Sequence, residues 1–160
     1  MLDVPRARWV VGTAVVDVFP DGRVLLNDNQ EMTIDRGGRV YDMGNEPVAL
    51  LEPNGNVVGP GDKPLGNVGV LHAAQAGEQN AWLSVLPSGE VVQYTSDGDK
   101  SSLGVWIGCQ PTYAAHQTCT LVSHLLAQRI TSATRAPIGY MPGQMGYGNP
   151  MMPGFGMPWR

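Results

Sequence analysis

The sequence predicts a mainly β fold: an antiparallel meander of hairpins, forming a barrel, a sandwich or a short repeat stack, with one C-terminal amphipathic helix. Three observations predict it. The pattern Pro-x-Gly-x-Val occurs at Pro20–Val24, Pro53–Val57 and Pro87–Val91, its glycines 33 and 34 residues apart. Short runs rich in Val and Leu lie between clusters of Gly, Pro, Asn and Asp, which is how strands and hairpin turns alternate. From Cys119 to Arg135 there is no Gly or Pro, and apolar residues recur at steps of three and four, the period of a helix.

The elements follow in order. Residues 9–18, between Pro5 and Pro20, read as a strand. Pro20-Asp21-Gly22 is a tight turn, because Pro presets an early turn position and Asp-Gly tolerates left-handed geometry. Residues 23–26 return, 27–29 turn again, and 31–35 alternate with Met32 and Ile34 on one face. A turn at Arg36-Gly37-Gly38 leads to a short strand at 39–41. Residues 48–52 and 56–58 flank the second Pro-x-Gly turn, and 59–64 form a loop. Residues 67–72 are a strand candidate, and 73–80 a loop or one short helical turn. Residues 82–86 and 90–94 flank the third Pro-x-Gly turn, 96–99 turn once more, and 104–108 close the series. Gly38 falls between the first two copies of the repeat, at steps of 16 and 17, but the next interval has only a displaced echo at Gly66. The period is therefore broken.

The helix spans about 119–135, with Leu121, Val122, Leu125, Leu126 and Ile130 as one apolar stripe. Arg129 and Arg135 suit its C-terminal end, and Pro137 and Gly139 stop it. Such a helix packs across an open face or end of a sheet. Residues 1–136 thus make one β-rich domain, and 137–160 an extension. From Gly139 to Arg160 the extension holds six Gly, five Met, four Pro and four aromatics, with no acid. Tyr140, Met141, Met145, Tyr147, Met151, Met152, Phe155, Met157 and Trp159 suit an adaptive contact surface.

Charged residues are 15% of the chain and the net charge is −4, with ten scattered basic residues, so no electrostatic footprint for nucleic acid exists. The first apolar run is interrupted by Gly12, Thr13 and Asp17, so it is neither a spanning segment nor a signal peptide. A cytoplasmic protein, or an exported one whose leader was removed, both fit.

Cys109 and Cys119, ten residues apart, form a disulfide, remain two free thiols, or join His116 and His124 in a C-x6-H-x2-C-x4-H metal set whose spacings match no familiar paired arrangement. The spacing leaves all three open. His124 otherwise sits at the solvent edge of the helix, and His72 at a strand end. Ser123-His124 are helix neighbours that point apart, and no Gly-x-Ser-x-Gly elbow occurs. Asp and Asn in the turns serve the turns. Trp9, Trp82 and Trp106 lie in strand runs, where they pack a core or stack on a ligand. The expected role is structural or interactive: a homo-oligomer or assembly subunit with the extension as contact element and no cofactor. The alternatives are a carbohydrate- or small-ligand module using Trp82, Trp106 or Tyr94, and a hydrolase with a Cys/His or carboxylate site.

Overall fold

The computed structural model describes residues 1–135. Alternating apolar positions give twelve strands: β1 (Ala7–Val11), β2 (Ala14–Val18), β3 (Arg23–Leu26), β4 (Asn29–Ile34), β5 (Arg39–Tyr41), β6 (Pro47–Leu51), β7 (Asn56–Val58), β8 (Pro64–Val68), β9 (His72–Ala74), β10 (Leu83–Val85), β11 (Glu90–Tyr94) and β12 (Lys100–Ile107). Each pairs antiparallel with the next. The meander closes on itself because β1 also pairs with β12, Trp9 opposite Trp106 and Val10 opposite Val105. Of the architectures the sequence allows, this is the barrel. The last element is helix α1 (Tyr113–Arg135).

One face of the strands is buried all the way round: Trp9, Val16, Val18, Val24, Ile34, Val40, Val57, Val68, Leu83, Val85, Val91 and Trp106 are each at most 1% exposed. Twelve strands enclose more space than their own side chains fill. The first half of α1 fills it. Thr118 to His124 are all buried, two full turns, so no side of the helix there meets solvent. An external helix buries one stripe; this one is enclosed. The expectation of a helix laid across a face or end is corrected accordingly, and the single-stripe pattern with it: Thr118, Thr120 and Ser123 are as buried as Leu121 and Val122, and His124 is nearly so.

The helix also begins six residues earlier than its apolar period predicts. Thr112 caps it, its hydroxyl accepting from the Ala115 N–H and its carbonyl from the His116 N–H. Two strand assignments change as well. Residues 9–18 are two strands, because the chain reverses at Gly12-Thr13. Residues 67–72 are likewise divided between β8 and β9, so Ala73 and Ala74 are strand and not loop.

The broken period has a structural explanation. At one end of the barrel, turns begin at Phe19, Asp35, Glu52, Gly69 and Leu86, at steps of 16, 17, 17 and 17. In four of them the glycine N–H bonds three residues back (Gly22 to Phe19, Gly38 to Asp35, Gly55 to Glu52, Gly89 to Leu86). Those glycines have φ of 87–98°, left-handed geometry that a Cβ opposes. Each glycine carbonyl then accepts from the strand beyond, at Ile34, Leu51, Val68 and Trp106. The fourth turn in chain order differs: Gly69 bonds His72 directly, and Leu71 takes the glycine's place in accepting from Val85. The repeat is a 17-residue two-strand unit, with one member rebuilt as Gly69-Val70-Leu71-His72.

The chain divides into two units between Leu125 and Leu126. The described part of the second is the helix end Leu126–Arg135, where Leu126, Ala127 and Ile130 are buried and Gln128 and Arg129 exposed. The contact residues expected in the extension, Tyr140, Met141, Met145, Tyr147, Met151, Met152, Phe155, Met157 and Trp159, lie outside the described residues. No helix among the described residues is long and apolar enough to cross a membrane.

Candidate functional site

Two of the strand tryptophans, Trp9 and Trp106, lie inside the barrel. Trp106 is 1% exposed, stacks on Trp9 at 5.5 Å between ring centroids, and donates from Nε1 to the Ser123 hydroxyl at 2.7 Å. Trp82, half-buried and just ahead of β10, donates to His124 Nδ1 at 2.8 Å. Tyr94 is turned to Ser84, donating to its hydroxyl at 3.1 Å. Of these three rings, Trp106 is enclosed, while Trp82 and Tyr94 are half-buried.

Cys109 and Cys119 are joined in a disulfide, both sulfurs fully buried, which ties the end of β12 to the second turn of α1. Neither is a free thiol or a thiolate ligand, so the proposed Cys/His metal set is overturned. Among the described residues no three His, Cys, Asp or Glu side chains converge. A polar constellation that sequence inspection missed joins three neighbouring strands: His72 Nδ1 lies 2.6 Å from the Ser84 hydroxyl, which also accepts from Tyr94. Ser84 is fully buried, however, so no substrate reaches its oxygen.

The enclosed helix grips the barrel through polar side chains, each aimed at a main-chain carbonyl. His116 Nε2 bonds the Val85 carbonyl at 2.7 Å, Gln117 the Val68 carbonyl at 3.0 Å, Thr120 the Val70 carbonyl, and His124 Nε2 the Leu65 carbonyl at 2.8 Å. His124 is therefore not the solvent-edge residue its helix position suggests. It is 7% exposed and neutral, with the proton on Nε2 and Nδ1 accepting from Trp82. Burial pushes its pKa below the ordinary value, opposed by the Leu65 bond. Gly66 makes room for it: a Cβ there would come within 2.6 Å of His124 Nε2 and meet the Ala74 carbonyl.

Where the helix enters the barrel, a groove of about 790 Å³ opens between three segments. One wall is the rebuilt turn, Val70-Leu71; the second is Pro87; the third is the loop closed by the disulfide, with Pro111 and Tyr113. Among the described residues its lining carries no Asp, Glu, Lys or Arg. Its polar side chains already have partners: Gln110 donates to the Pro87 carbonyl, Thr112 to the Asp3 carboxylate, and His116 bonds Val85. What remains is apolar surface and Tyr113, which is 84% exposed. Four turns at this end expose Gly, Pro, Asn, Asp, Ser or Arg, as hairpin turns do; the fifth offers Val and Leu instead. The signal was present in the sequence as the missing copy of the repeat.

The groove is also stiff. Gln117 and Thr120 hold the carbonyls of Val68 and Val70 from inside, and the disulfide fixes the opposite wall. Comparison with protein-family models, with curated proteins and with solved structures returned no match.

Proposed function

We propose that the protein is a structural or protein-interaction component of a larger assembly, with this groove as its receiving surface and the C-terminal extension as its contact element. The observation that supports it is the Val70-Leu71 turn: apolar side chains replace turn residues at a barrel end, beside an almost fully exposed tyrosine. Val70 and Leu71 are half-buried, and apolar surface left open to solvent in a groove marks binding sites for apolar partners. Because the Gln110, Thr112 and His116 side chains are already hydrogen-bonded, the site recognises apolar and aromatic side chains by shape more than a sugar or a nucleotide by donors and acceptors. A buried disulfide fits an oxidising compartment.

The solution mass of the full chain and of a chain ending at Ala136, by light scattering with circular dichroism to verify folding, tests this. An oligomer that becomes a folded monomer on truncation supports the extension as an assembly element. Equal masses for the two remove the extension from that role.

A further inference from the structure

We infer that the groove receives the C-terminal segment of a second copy of this chain, residues 140–159, so that copies join tail to groove. This rests on the assembly reading above and names the partner.

Complementarity argues for it. Among the described residues the groove has no Asp, Glu, Lys or Arg in its lining, and the sequence from Gly139 to Trp159 has none either. The groove offers prolines, Val70, Leu71 and an exposed tyrosine; the segment offers four aromatics and five methionines, the side chains that adapt best to such a surface. An acidic or basic partner peptide would find no counter-charge there.

Length argues for a second copy over the same one. Twenty-five residues follow Arg135. A coil of that length spans about 25–30 Å on average, and an extended chain of that length at most about 80–90 Å. The groove takes in the first turn of α1, whereas the segment follows its last; a helix of 23 residues is about 34 Å long. Returning to its own groove would stretch the segment beyond its mean span. A neighbour's groove imposes no such demand. Tail and groove are different surfaces, so the contact is heterologous, and an open row of copies keeps one free groove at one end and one free tail at the other unless a ring closes.

Two full-length variants test it. Tyr113→Glu spoils the groove at an exposed side chain and places a carboxylate where a helix start favours one. The triple change Tyr147→Ser, Phe155→Ser, Trp159→Ser spoils the segment. Leu71→Lys is a second groove variant, and melting temperatures check that each still folds. By sedimentation velocity over a wide concentration range, the parent should gain mass with concentration, while each variant alone weakens self-association about tenfold or more. An equimolar mixture of Tyr113→Glu and the triple variant should form a two-chain species and nothing larger, since only one tail and one groove remain functional. If the parent assembles and both groove variants assemble equally well, the groove is wrong while assembly stands. A mixture that stays monomeric also overturns the inference. A parent that is monomeric throughout overturns both.

Discussion

Inside the barrel, His116, Thr120 and His124 of α1 each meet a strand or turn carbonyl. On the outer wall and barrel end, Arg6 and Arg8 meet Asp17, Arg23 meets Asp21, and Arg36 meets Asp3. Those arginine side chains are 46–65% exposed, and Arg6 and Arg23 also cover the Phe19 ring at 4.3 and 4.5 Å. The two sets differ in what replaces a lost partner. Outside, water does. Inside, nothing does, so an enclosed group keeps its full desolvation cost when its partner is removed. The interior should therefore dominate stability although the exterior holds the formal charges.

The sharpest way to break that comparison is Trp106→Ala. It empties the stack on Trp9 and strips the Ser123 hydroxyl of its donor, and should cost about 3–5 kcal/mol in urea unfolding. Next comes removal of the disulfide by Cys109→Ser with Cys119→Ser. Freeing its short loop in the unfolded chain should cost about 3 kcal/mol in the chain-entropy account, read in the same experiment.

Trp82→Phe keeps a ring but removes the donor to His124, and should cost about 1–3 kcal/mol. It also changes the pH response. In the parent, the folded state holds His124 below its ordinary value of 6.5. Just below that pH the unfolded chain binds the proton more readily, so stability falls as pH drops through the window. With Nδ1 released by the phenylalanine, His124 protonates more readily in the folded state, and that decline should flatten. An unchanged slope in a stability-against-pH series would show that burial alone sets the titration.

The smallest effect is expected outside, with Asp17→Asn. Asp17 is 3% exposed; burial pushes its carboxyl up, but the bonds from Arg8 and Arg6 and their charges bring it below the ordinary 3.8. Its contribution is present above that pH and lost as pH falls through the lowered value. At neutral pH the substitution should cost under about 1 kcal/mol and less still in high salt, because both arginines are half in water. A loss matching Trp82→Phe would erase the contrast between the two sets.

Much of the outer architecture was legible in the sequence because turns declare themselves locally. Pro20-Asp21-Gly22 and Pro53-Asn54-Gly55 need only their own chemistry to be recognised. What encloses α1 is not local. Thr120 and Ser123 look like ordinary polar helix residues until Val70 and Trp106 are brought to them from 50 and 17 positions away. Thr112 failed as a start signal because Tyr113-Ala114-Ala115-His116 carries no apolar period of its own. The groove was half legible: the interval where Pro-x-Gly failed to return was seen, but only the strand positions show that Val70-Leu71 stands in its place.

The enclosure of a helix that follows all twelve described strands bears on the order of events. A polypeptide emerging N-terminus first presents all twelve strands before the element that fills them. Local hairpins such as β3–β4 and β6–β7 can form at once, since their loops are short. The seam between β1 and β12, which joins Trp9 to Trp106, cannot shut productively until residues 113–125 have entered. The two seam strands keep unpaired edges for that interval, the period in which an incomplete barrel is most open to pairing with another chain. In the finished barrel the Cys109–Cys119 bond acts as a latch: it ties the helix to the end of β12 and keeps it from backing out.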